Sequence, residues 1–77
     1  MNRREEYKSN YIIDTRTFKL ADGSGFTTEA FVEEHSEGGV TVTQFIVRGV
    51  FPTREFAMEA AIQAGRQAID RGFEPAA

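Results

Sequence analysis

The chain contains no cysteine, so neither a disulfide framework nor a thiolate metal site can be built from it. It has a single histidine, His35, which excludes an imidazole-rich metal site within one chain. No apolar run approaches the roughly 20 residues that a membrane-spanning helix needs. Clustered positive charge is scarce as well. Nine Lys and Arg stand against twelve Asp and Glu, for a net charge of −3 with the signs mixed. The only basic pair near the start is Arg3-Arg4, too little to displace the counterions of a duplex, so nucleic acid is not an expected partner. The opening MNRREEYKSN carries no apolar stretch behind its charges. Together with the missing cysteine, this leads to an expected cytoplasmic location.

What remains is a short chain of 77 residues. A domain of this size buries only about 60% of the surface its unfolded form exposes. Small domains with thin cores are reinforced by disulfides, metals or oligomerisation, and here oligomerisation is the route left open.

Residues 1–10 are polar and are expected to be loose until Tyr11 anchors the chain. Two turn signals follow. Residues 21–25, ADGSG, contain Asp-Gly, and residues 33–39, EEHSEGG, end in Gly-Gly. They separate three β-rich runs at about 11–20, 26–34 and 40–49, which predict an antiparallel meander. Period-two alternation assigns their faces. Phe26, Thr28, Ala30 and Val32 share one side of the second run, with Thr27, Glu29, Phe31 and Glu33 on the other. In the third run Thr43, Phe45 and Val47 alternate with Val42, Gln44, Ile46 and Arg48. Phe18 and Leu20 fall out of phase with Tyr11, so a bulge or twist is expected in the first run.

Pro52-Thr53 marks the passage into a helix. Thr53 is a good N-cap, and Glu55 sits where the helix dipole favours an acid. Phe56 occupies the position where a capping box would place Glu or Gln. On a wheel of about 100° per residue, Ala57, Ala61, Ala64 and Ala68 cluster, flanked by Met58, Ile62, Gly65 and Ile69. Glu59, Gln63, Arg66 and Asp70 stand opposite. So small an apolar face implies a close seat on the sheet, with Phe26, Phe45 and Phe51 filling the space. Gly72 fits the C′ position, with Phe73 folding back as a hydrophobic clamp. The expected fold class is therefore α+β: a single β-β-β-α domain over residues 11–73, a three-stranded antiparallel meander on one C-terminal helix, followed by a short tail at 74–77.

Tyr11-x-Ile13, Leu20-x-Asp22-Gly23 with Phe26, Phe51-x-Thr53-Arg54-Glu55-x-Ala57 and Gly65-Arg66 with Ile69-Asp70-x-Gly72 together resemble an uncharacterised family of short bacterial proteins. The resemblance runs from Tyr11 to Gly72 and rests on folding residues. It implies a compact β-β-β-α domain and brings no activity with it. The chain departs from the pattern at Phe26, where members often show Trp, and at Phe56, where they show a second Glu.

Chemistry-bearing motifs are few. His35 with Glu33, Glu34 and Glu37 reads as a solvated turn, because a general acid or base needs a pocket that positions the imidazole and shifts its pKa. The same acids lack the spacing of a calcium loop. DGSG lacks the strand, lysine and helix of a phosphate loop. Ser9, Ser24 and Ser36 fall in turns or the tail, Asp14, Asp22 and Asp70 do not make a carboxylate dyad, and Asp70 reads as an ion pair with Arg66. No catalytic residue, metal or cofactor is expected. The sheet face away from the helix is more informative. Ile12, Phe18, Phe31, Val42 and Ile46 all point there, and exposed apolar patches often mark interaction sites. The leading expectation is a non-enzymatic module that uses this face for homodimerisation or for binding an unidentified protein. Two alternatives are a weak nucleic-acid-binding module, by likeness to part of the double-stranded-RNA-binding fold, and a small hydrolase or nuclease using His35.

Overall fold

A computed structural model describes residues 3–72. The fold is α+β, with an antiparallel sheet and one C-terminal helix. The sheet has four strands, not the three expected: β1 (Arg4–Tyr7), β2 (Tyr11–Lys19), β3 (Phe26–Ser36) and β4 (Gly39–Phe51), in the order β1-β2-β3-β4, followed by α1 (Arg54–Asp70). The additional strand comes from the segment expected to be loose. Arg4, Glu5, Glu6 and Tyr7 pair with Asp14, Ile13, Ile12 and Tyr11. Charge conceals the strand in the sequence, since its alternation is between ions that face water and ions that face the helix flank. The tail at 74–77 and the Phe73 clamp lie outside the described residues.

The β2–β3 register runs unbroken from Tyr11↔Glu34 to Lys19↔Phe26, so the bulge expected in the first run is not there. The irregularity lies instead between β3 and β4. Thr28 pairs with Val47 but Phe26 with Phe51, and the surplus residues of β4 include Gly49 at φ +109°, a conformation that suits glycine. The second turn is also tighter than expected. β3 continues through His35 to Ser36, and only Glu37 and Gly38 separate it from β4. At the first turn Asp22 Oδ1 accepts from the Ser24 N–H at 2.9 Å and the Ser24 hydroxyl at 2.7 Å, the local bonding that makes Asp-Gly-Ser a turn.

Thr53 caps α1 as its sequence position predicts. Its backbone is extended and its hydroxyl accepts from the Phe56 N–H at 3.1 Å. At the other end the Gly72 N–H donates to the Ile69 carbonyl at 3.0 Å with φ +66°, the left-handed closure that favours glycine.

The core lies between α1 and the facing side of β2 and β3. Ile13, Val32, Ile62 and Ile69 form its centre, with Tyr7, Tyr11 and Phe45 packed around it. The helix buries Ala57, Ala61, Ile62, Gly65 and Ile69. The expectation that Phe26, Phe45 and Phe51 fill the space holds for Phe45, which packs against the core centre, while Phe26 and Phe51 pair with each other at the far end of the sheet. The small helix face instead seats Ile13 and a patch of buried threonine. Thr17 and Thr28 share a hydroxyl contact at 3.3 Å, and Thr28 also donates to the Arg16 carbonyl at 2.9 Å. Thr15 accepts from the Arg3 N–H at 2.8 Å and donates to the Arg3 carbonyl at 3.1 Å. Each buried hydroxyl is thus satisfied, which burial requires.

The polar side of α1 flanks β1. Arg66 pairs with Glu5, Glu59 with Arg3 at 2.9 Å, and Asp70 meets Lys8 Nζ at 2.9 Å and the Tyr7 hydroxyl at 3.0 Å. Asp70 therefore pairs with β1 and its turn rather than with Arg66, which crosses to Glu5 and stacks over the Tyr7 ring.

Candidate interaction surface

No described element covers the sheet side opposite α1. The strand registers place Ile12, Phe18, Phe31, Val42 and Ile46 together on it. They do not form one apolar patch, because the same registers set charged rows between them. Arg4 Nη1 contacts Asp14 at 2.6 Å and Glu33 at 2.8 Å. Gln44 donates to Glu29 at 2.6 Å, and Arg16 lies 5.7 Å over the Phe31 ring. Ile12 and Phe31 are half-buried among these groups.

Exposure is concentrated towards β4. Ile46 is 77% exposed, Val42 58% and Phe18 49%, with Val40 and Val50 also open. Phe18, Thr27, Ile46 and Arg48 line a shallow depression of about 400 Å³. A second of about 360 Å³ lies over Asp14, Arg16, Phe31, Glu33 and Val42. The first has a mainly apolar lining; the second places the carboxylates of Asp14 and Glu33 beside Arg16.

His35 sits on β3 rather than in a loop, and its Nε2 lies 3.1 Å from Glu33 Oε1. Glu33 is already held by Arg4, and that guanidinium, with a smaller contribution from His35, keeps its carboxyl below the ordinary range against the effect of desolvation. Asp70 is lowered in the same way, first by Lys8 and then by Tyr7. A carboxylate lowered in the folded state contributes stability above its unfolded pKa, near 4, and loses it as pH falls through the folded value. The urea midpoint is therefore expected to fall between about pH 5 and pH 3. A Glu33→Gln protein should show a smaller fall, and an equal fall in both proteins would remove Glu33 from this account.

Among the described residues, no group of three His, Asp or Glu could hold a metal, and no helix is long and apolar enough to cross a membrane. Sequence reasoning missed the ion pairs that join β1 to α1 and the exposure of β4 along the sheet margin. Ser9-Asn10 between Tyr7 and Tyr11 was the available turn signal for the β1–β2 hairpin, and no sequence signal pointed to the ion pairs. Among known proteins, no family model, no curated protein and no solved structure matches this chain.

Proposed function

We propose that this domain is a non-enzymatic interaction module that associates, with itself or with another protein, through the outer face of its sheet. The observation that carries this reading is the exposure of Phe18, Val42 and Ile46 on a face that no described element covers. A thin core gives such a domain reason to gain buried area by association. The bacterial family that the sequence motifs resemble belongs to the same proposal, and it contributes a fold rather than an activity.

The alternatives find less support. Of the three cations that would contact phosphate, Arg54 lies 5.1 Å over the Phe26 ring and donates to the Thr17 carbonyl at 3.4 Å, and Arg66 is held by Glu5; Arg48 is exposed on β4, but one arginine does not supply the clustered charge that phosphate binding needs. His35 shares Glu33 with Arg4, an arrangement that neutralises the carboxylate rather than directing it at a substrate.

Sedimentation velocity over a concentration series tests the face. The wild-type protein is expected to associate, alone or with a captured partner, and a Phe18→Glu, Phe31→Glu double variant to lose that association while keeping its circular dichroism. Association unchanged in the folded variant would remove the face as the contact surface.

A further inference from the structure

The two margins of the sheet are built differently. β1 is four residues long, and every residue from Arg3 to Glu6 is charged. Beyond it, the Thr17 carbonyl of β2 accepts from Arg54, so a helix side chain covers part of the remaining edge. Short strands, charges and covering groups are the devices that keep a sheet edge from pairing with another chain. Among the described residues, β4 has none of them along most of its length. It runs for 13 residues, and from Gly39 to Val47 it has no ionisable side chain and no proline.

Hydrogen-bond parity identifies which backbone groups this edge offers. Leu20 N–H donates to the Gly25 carbonyl at 2.8 Å and His35 N–H to the Asn10 carbonyl at 2.9 Å. Bonded pairs alternate in an antiparallel ladder, so the odd-numbered residues of β3 bond to β2 and the even-numbered ones to β4. Through the register, the latter engage Thr41, Thr43, Phe45 and Val47. The N–H and C=O groups of Val40, Val42, Gln44 and Ile46 therefore point outward along the edge.

We propose that β4 pairs antiparallel with β4 of a second copy of this chain, about a two-fold axis through Gln44 perpendicular to the sheet, to give one continuous eight-stranded sheet. This register uses the outward groups as bonded pairs, Gln44 with its own counterpart and Val42 with Ile46 of the partner subunit. An isologous contact must be self-complementary, and the two most exposed apolar residues of the ladder-paired part of β4, Val42 and Ile46, then meet each other twice. On the helix side, Thr43 comes opposite Phe45 of the partner subunit at the closer non-bonded spacing, an aromatic and β-branched pairing of the kind that stabilises sheets. Because the β1 margin is guarded, pairing through β4 closes at a dimer. The inference is separate from the outer-face contact proposed above, since strand pairing needs only the backbone and side chains of β4, and the edge dimer is expected to survive Phe18→Glu, Phe31→Glu.

The test is Gln44→Pro. Its lost N–H points away from β3, so the internal ladder is preserved, and proline is tolerated in an edge strand when that group faces solvent. Wild-type protein is expected to sediment as a dimer whose Val42, Gln44 and Ile46 amides exchange more slowly with rising concentration, with Thr41 and Thr43 unchanged. Gln44→Pro is expected to be a folded monomer, and Ile46→Lys serves in its place should the proline variant unfold. Monomeric wild type at every concentration would overturn the proposal, as would species larger than a dimer or a dimer that survives both substitutions. A dimer lost in Phe18→Glu, Phe31→Glu but kept in Gln44→Pro, with the alternate amides unprotected, would assign association to the face and reject the edge.

Discussion

Gly65→Val is expected to leave the domain largely unfolded, and Gly65→Ala to destabilise it by about 1–2 kcal/mol even though alanine is the better helix former by about 1 kcal/mol. A Cβ at position 65 would lie 2.7 Å from Ile13 Cγ2 and 3.2 Å from both Cγ1 and Cδ1. Ile13 cannot easily give way. It is fully buried, its branched side chain is stiff at χ1, and its strand is paired on both sides, with Glu5 and with Val32. The methyl group must therefore lift the helix from the sheet, and valine adds two more carbons where one already collides. Urea denaturation measures the loss. In a double-mutant cycle, Ile13→Ala should cost less in the Gly65→Ala background than in wild type, because it removes the colliding atoms. A Gly65→Ala midpoint at or above that of wild type would show that the helix slides without penalty.

Ile62→Ala is the second large expected effect, a loss of about 2–5 kcal/mol. Ile62 is fully buried at the centre of the core with Ile13 and Val32. Truncation opens a cavity, and the short side chains around it have little reach to close it. In a domain this small the melting temperature should fall on the order of 10–30 °C. Ile46→Ala is the natural comparison. It removes the same atoms from a residue on β4 that is 77% exposed, so at concentrations where the protein is monomeric its effect on melting should be small. A similar loss for both substitutions would mean that burial is not what distinguishes them.

Much of this architecture is visible in the residues themselves. Alternation in β3 and β4 is strict enough to separate Ala30 and Val32 from Phe31 and Glu33, and the observed registers respect that division. Thr53 and Gly72 mark the helix ends because capping is local chemistry that no distant contact overrides. β1 was hidden because Arg4-Glu5-Glu6-Tyr7 has no hydrophobic period; besides its ladder with β2, its partners are Arg66 and Asp70, which lie far away in sequence. A bulge was expected in β2 because its apolar alternation breaks before Phe18; the break arises because Thr15 and Thr17 take the buried positions, and threonine reads as polar until its hydroxyl has a partner. The five residues assigned to the outer face do share it, but the charged rows that divide them depend on strand register, and pattern alone does not set register across a turn.

The ties between β1 and α1 also bear on how the chain assembles. Three short turns can bring the four strands together through contacts near in sequence, whereas Arg3 meets Glu59 across 56 residues, Glu5 meets Arg66 across 61 and Tyr7 meets Asp70 across 63. Such distant pairings bear the largest loop-closure entropy and reward it latest. The helix flank is therefore expected to close late, so that substitutions at Arg66 or Asp70 hasten unfolding in stopped-flow urea kinetics while scarcely slowing folding.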